Sequence, residues 1–239
     1  MAQERSITQH SPTGVLLGFV TPGSPEWRQY RNESVAAGEI AAILGLSPFQ
    51  TRLGLWERKL GLATAPPPVK NPRAAARGVR LEPVVAQEFA DRHPEYDVVE
   101  TGMWRHMDRK WQRAAPDRVL YWHGQLRIPI ALLEVKTSPT GEGFGPDGSA
   151  QFPVGYRAQV QWQMDTLGVH TCHVIVRIGV CDACDDITVE DPQCDHEHRE
   201  YVIDYDPGEC AAMRTEAADF LAEVKEGRRP AADEADPGQ

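Results

Sequence analysis

The stretch "LLEVKTS", residues 132–138, sets a carboxylate and an ammonium two positions apart inside a run that otherwise reads as a buried strand. Side chains alternate faces along a strand. Glu134 and Lys136 therefore share one face, and Leu133 and Val135 the other. Burying two charges is costly unless they pair with each other or meet a metal or ligand. On these residues alone, a structural Lys–Glu pair and a functional pair both remain open.

The strand has a partner upstream. "DRVLYWHGQLRIPIALLEVKTS", residues 117–138, reads as a hairpin turning near "HGQ", which brings Asp117 at the start of one strand towards Glu134 on the next. "GVRLEPVVAQEFADRH" before it has helical spacing, with Leu81, Val85 and Phe89 as the apolar stripe and Glu82 at its border. "VGYRAQVQWQMDTLG" after it is a second helix, with Val160, Met164 and Leu167 inward, and it carries Gln159. Two acidic groups can hold a hard divalent ion such as Mg2+ or Mn2+, which prefers oxygen ligands. A lysine beside them can position or deprotonate a water. Phosphodiester cleavage needs those parts: charge neutralisation, a nucleophilic water and a stabilised leaving oxygen.

Further out, residues 1–23 have no strong period and are expected to be a loose arm or an edge strand. "SPEWRQYR" starts a helix, with Ser24 as N-cap, Pro25 in the first turn and Glu26 near the positive dipole end. "SVAAGEIAAILG" places Val35, Ile40, Ile43 and Leu44 at near-helical spacing with Gly45 closing, and a short helix follows from Thr51 to Gly61. "LATAPPPVKNPRAAAR" is a proline-rich connector and the expected mobile loop. "HTCHVIVRIG" and "EYVIDYD" read as strands, and a last amphipathic helix runs from about Glu209 to Gly227. One domain over residues 24–229 is expected, with a Cys/His-rich hairpin insertion at about 180–199 and a disordered tail over 230–239.

The insertion, "CDACDDITVEDPQCDHEH", holds Cys181 and Cys184 at the spacing of a zinc knuckle, and Cys194 with His196 or His198 supplies a second pair. Thiolate and imidazole select Zn2+ over Mg2+, so a structural zinc separate from the carboxylate site is one reading. A merely acidic exposed loop is the other.

The chain has 239 residues, of which 41% are hydrophobic, enough for a sizeable core. No run approaches a membrane span, "GVLLGFV" lacks the flanks of a signal peptide, and five cysteines do not make a disulfide framework. A cytoplasmic protein is expected. The net charge of −10 hides a division: residues 1–139 hold 18 basic and 14 acidic side chains, residues 140–239 hold 7 and 21. A polyanion bound on the first part suits this asymmetry, as do two ordinary solvated surfaces. Trp104, Trp111 and Trp122 lie among Arg105, Arg109, Lys110 and Arg113, a mixture that can stack on and grip DNA, although aromatic residues more often pack a core.

In order along the chain stand "WRQYR" with "AGEIAAILGLSPF", then "GVRLE", "APD", "LEVK" and "YRAQVQ". This ordered set resembles the PD-(D/E)xK nuclease superfamily, and within it the phage recombination exonucleases of the YqaJ and lambda exonuclease type. The resemblance covers roughly residues 24–178 and implies an α/β (α+β) fold, a central mixed β-sheet flanked by helices. It implies that Asp117, Glu134 and the Val135 backbone carbonyl bind a catalytic Mg2+ or Mn2+, that Glu82 completes the site directly or through water, and that Lys136 acts on the attacking water. It matches Arg31 to an arginine that receives a 5′-phosphate and Gln159 to a glutamine near the same pocket. Gly38 and Ala115 stand where relatives carry serine hydroxyls, a departure in the phosphate pocket. The implied activity is digestion of one strand of linear duplex DNA from its 5′ end, leaving 3′ single strands for an annealing protein, with a homo-oligomeric ring around the duplex as an implied assembly. A restriction-like endonuclease and a non-catalytic module for DNA ends or partners are the alternatives.

Overall fold

The computed structural model describes residues 9–21, 23–62, 71–125, 127–179 and 196–231. Two sheets organise it. The smaller contains β1 (Gly14–Gly18), β2 (Val35–Ala36), β4 (Met103–His106) and β5 (Gln112–Ala114) in the order β1-β4-β5-β2. The larger contains β3 (Tyr96–Glu100), β6 (Arg118–Trp122), β7 (Ala131–Ser138), β8 (Thr171–Ile178) and β9 (Glu197–Asp204) in the order β3-β6-β7-β8-β9. Each is mixed, with one parallel pair, β2 with β5 and β7 with β8. The larger sheet is the expected central one; the smaller has strands too short to announce themselves in the sequence. Residues 9–21, expected as an arm or an edge strand, contribute the edge strand β1.

Six helices complete the described residues: α1 (Pro25–Asn32), α2 (Ala37–Ile43), α3 (Arg52–Lys59), α4 (Pro72–Arg92), α5 (Val154–Leu167) and α6 (Pro207–Glu226). The side chain of Ser24 caps α1 by accepting from the Trp27 N–H, Thr51 caps α3 through Gly54, and Asp206 caps α6 through Gly208 and Glu209. Gly168 ends α5 in the left-handed conformation that glycine adopts without steric penalty. Val35 stands in β2, not in the helix that its spacing suggests, because its N–H bonds the Trp111 carbonyl beside β5. The connector also needs correction at its end. Pro72 opens α4, capped by Asn71, because a proline at the first helical position gives up only a donor that would have no partner in the helix. Pro83 lies inside α4. The rest of the connector and the segment from residue 180 to 195 lie outside the described residues.

The larger sheet buries both faces, which is why β7 and β8 read as near-continuous apolar runs. Leu133, Val135 and Ile175 pack with Leu120 against Leu81, Val85 and Phe89 of α4. On the other face, Leu132, Val174 and Val176 join Val160, Met164 and Leu167 of α5. Helix α5 also packs on β4 and β5, so it lies between the sheets, buried nearly all round. Trp104 and Trp162 are fully buried in this layer and Trp111 packs on Trp162, so two of the three tryptophans of the basic segment belong to the core. Trp122 is about half exposed and stacks on Tyr96.

Candidate active site

By alternation, Glu134 and Lys136 project from β7 to the face covered by α5. There the Lys136 ammonium donates to Glu134 Oε1 at 2.5 Å and to Gln159 Oε1 at 3.3 Å. Gln159 in turn donates to Glu134 Oε1 at 2.5 Å, and Gln163 donates to Glu134 Oε2 at 2.9 Å. Both Glu134 oxygens are thus fixed from α5. Tyr156 completes the helix face: its ring lies 4.7 Å below the Lys136 nitrogen, and positions 156, 159 and 163 fall on one side of the helix. The ammonium is pulled down by burial, but the Glu134 and Asp117 carboxylates outweigh this and hold its pKa above the ordinary lysine value. In this arrangement Lys136 is held as a cation.

Asp117 arrives as the hairpin reading requires. Arg118 pairs with Leu133 across the β6–β7 ladder, so one residue further Asp117 faces Glu134. Its Oδ2 accepts from the Val135 N–H at 2.7 Å. In a strand the N–H and C=O of one residue point to the same side, so the Val135 carbonyl is directed to that side too, past the end of β6. Burial, and then the nearby Glu134 charge, push the Asp117 carboxyl up to about 8.

Glu82 stands at the margin. From α4 it reaches Arg118, with Oε1 2.7 Å from the guanidinium, and both line an open groove of about 470 Å³ together with Trp27, Met103, Ala115 and Asp117. Gly102 lies in its wall because β1 bulges against it: a Cβ there would fall 2.1 Å from the Gly18 carbonyl oxygen.

Arg31 is elsewhere. Its Nε and Nη2 both donate to Glu39 Oε1, at 3.1 and 2.7 Å, and its guanidinium lies over the Trp27 ring, one side chain behind the groove. Glu39 is buried and also receives Arg58 and Lys59. Burial opposes its ionisation, but Lys59 and Arg31 outweigh that and keep its carboxyl below the usual carboxylate range. Three cations therefore surround one carboxylate. His198, a candidate zinc ligand, stands on β9 with Nε2 2.9 Å from Glu88; Cys181, Cys184 and Cys194 lie outside the described residues, so with His196 alone beside it no zinc set is on view.

Whether the residues suit a divalent cation can be judged from their chemistry. Asp117, Glu134 and the Val135 carbonyl are hard oxygen donors, and the two carboxylates lie close enough for one to suppress ionisation of the other. Among the described residues no three His, Cys, Asp or Glu side chains form a ready-made cage. A site with two carboxylates and a carbonyl, its remaining positions filled by water, fits Mg2+ better than an all-protein cage would.

Sequence reading missed Gln163 and the polar network behind it. Its signal was present: "YRAQVQWQ" repeats glutamine four residues after Gln159, on the helix face that meets "EVK".

The YqaJ-like viral recombinase domain family matches residues 26–170, well over half of the chain. Among solved structures, an alkaline exonuclease from Laribacter hongkongensis is similar at 21% identity and a TM-score of 0.61, covering 85% of this chain and 94% of that one, both alone and in complex with dAMP. A phage-related exonuclease from Haemophilus somnus 129PT is similar at 10% identity and a TM-score of 0.55, covering 81% and 94%. No curated protein sequence matches significantly. The structural likenesses establish the fold, and the family match over residues 26–170 shows that this chain belongs to the YqaJ-like viral recombinase domain family.

Proposed function

We propose that this chain is a Mg2+-dependent exonuclease that digests one strand of linear duplex DNA from its 5′ end. The observation that carries the reading is the junction of Asp117, Glu134 and Lys136 at the ends of β6 and β7, locked from α5 by Gln159 and Gln163. The family match and the exonuclease folds of its structural neighbours support it, as does the dAMP complex of one of them.

In this reading Asp117, Glu134 and the Val135 carbonyl would hold the ion, and Glu82, which now accepts from Arg118, would complete the site directly or through water. A divalent cation bound there supplies charge neutralisation at the phosphate and lowers the pKa of a bound water. The protein's own part is positional. The Val135 N–H fixes the Asp117 carboxylate, the two glutamines fix Glu134, and Lys136 presents a permanent positive charge that orients the attacking water and offsets charge building on the phosphate. The Tyr156 ring supports that ammonium from below. Release of a 3′ single strand would feed an annealing protein, and enclosure of the duplex by a ring of copies would keep the enzyme on its track.

The test is cleavage of end-labelled linear and closed circular duplex with Mg2+ or EDTA. Linear DNA should be shortened from its 5′ ends only with Mg2+, circular DNA should survive, and Lys136→Ala should lose on the order of a hundredfold or more in rate while still binding DNA. Cutting of the circle would make the protein an endonuclease. Binding without cleavage under all conditions would leave a DNA-end module, and digestion from 3′ ends would reverse the polarity.

A further inference from the structure

Two arginines outside this site have no acidic partner among the described residues. Arg105 on β4 and Arg113 on β5 are directly opposed in the antiparallel ladder, and their neighbours Trp104 and Ala114 turn to the core, so both guanidinium groups leave the sheet on the face away from α5. Like charges directly opposed across strands are unfavourable. Arg113 is only 8% exposed, yet its Nε and Nη1 are buried without a hydrogen bond, and the Arg105 Nε is in the same condition. Arg113 lies instead over the Tyr30 ring of α1, 4.1 Å from its centroid. The acids nearby do not neutralise the pair: Glu26 accepts from the Tyr30 hydroxyl, and Glu33 acts on Arg113 only through space. A buried guanidinium with unmade hydrogen bonds is expensive; Arg31, Arg52, Arg109 and Arg118 each have a carboxylate, whereas the Arg77 Nε on α4 is unbonded like those of Arg105 and Arg113.

The pair is aligned with the groove. Met103 and Ala115, which line the groove, are each two residues from Arg105 and Arg113 along β4 and the extension of β5, so they share that sheet face about 7 Å away. Helix α1 spans the same distance, with Trp27 at the groove and Tyr30 on Arg113.

We propose that Arg105 and Arg113 form an oxyanion site that grips a backbone phosphate of the DNA flanking the one cleaved. Resting on the nuclease reading, this adds a substrate-binding subsite distinct from the carboxylate centre and from Arg31. Two guanidinium forks on one strand pair match the geometry of phosphate oxygens, and the Tyr30 ring holds one of them in place.

The experiment measures the affinity of wild type and of the Arg105→Gln/Arg113→Gln double variant for labelled linear duplex in EDTA, from about 50 to 200 mM salt. Loss of the site should weaken binding on the order of tenfold at low salt and reduce the slope of log K against log salt by about one. The Arg105→Lys/Arg113→Lys variant, which keeps the charge, should retain most of the slope. Wild-type slope and affinity in the Gln variant would overturn the proposal, and so would a Gln variant without a cooperative melt, since the pair would then be structural. If inorganic phosphate raised the melting temperature of wild type but not of the Gln variant while both bound DNA alike, the site would serve a free anion and the DNA assignment would fall. A wild type that neither binds nor cuts duplex would instead sink the nuclease reading, independently of these arginines.

Discussion

At Arg31 the resemblance and the geometry pull in different directions. The resemblance makes this side chain a receptor for a terminal phosphate, whereas the structure has it donating twice to the buried Glu39. The two can be combined. Glu39 is shared with Arg58 and Lys59, and Lys59 is further held by the carbonyls of Arg31 and Ser34, so the cluster keeps excess positive charge after its one carboxylate is paired. Arg31→Ala is therefore expected to abolish any preference for 5′-phosphorylated over 5′-hydroxyl ends, with a stability loss of only about 1 kcal/mol because Glu39 keeps two cations. Rates on the two end types, with a urea titration of the same variant, check it. A preserved end preference would remove Arg31 from the pocket, and a collapse in stability would make it a structural residue.

Among the elements, α5 does the most to connect fold and site. Its outer end is anchored by Asp165, whose carboxylate accepts from Gln112 at 2.8 Å, Tyr205 at 2.7 Å, Arg214 at 2.5 Å and Arg109 at 3.0 Å. These partners come from β5, the turn before it, the segment after β9, and α6, so one side chain ties four parts of the chain to the helix that carries Gln159 and Gln163. Burial opposes the Asp165 charge, but those donors outweigh it and hold its carboxyl below the ordinary 3.8. A depressed folded pKa gives stability that is complete above 3.8 and disappears as pH falls through the folded value. Asp165→Ala should cost about 2–4 kcal/mol in urea unfolding at neutral pH. The gap between wild type and variant should persist to pH 5 and narrow below 3.8. A gap that stayed constant through the acid range would mean that packing, not charge, is what the variant loses.

For the whole molecule, the site is a source of instability. Asp117 binds its proton more tightly when folded, up to about 8 against 3.8, first because it is buried and then because Glu134 is near. A raised carboxyl pKa makes the folded state less stable as pH rises across that window. At pH 8 in EDTA, Asp117→Asn is expected to melt at a higher temperature than wild type, while Mg2+ should raise the melting temperature of wild type and leave Asp117→Asn unmoved. Thermal melts with and without Mg2+ test both statements. Wild-type melting that is indifferent to millimolar Mg2+ would contradict an ion at this centre.

Alternation and turn chemistry are local, and they placed the β6–β7 hairpin, the shared face of Glu134 and Lys136, the approach of Asp117, the stripe of α4, the cap of α1 and the extent of α3 to within two residues. The linear order of "GVRLE", "APD", "LEVK" and "YRAQVQ" was likewise legible, because each motif lies in or directly beside an element whose period is readable. Helix α5 was different: Gln161, Gln163, Asp165 and Thr166 are polar yet all buried, because partners reach them from several elements, Asp204 and Asp206 for Gln161, Glu134 for Gln163, and Gln112 of the second sheet for Asp165 and Thr166. That sheet is built from strands of two to five residues, too short to carry a period. Only its assembly sets Arg105 opposite Arg113, and only the return of α2 onto α1 gives Arg31 its carboxylate. Local spacing determines which face a side chain takes; what waits on that face is decided by long-range pairing, where burial makes every polar group find a partner in the protein or bind one from outside.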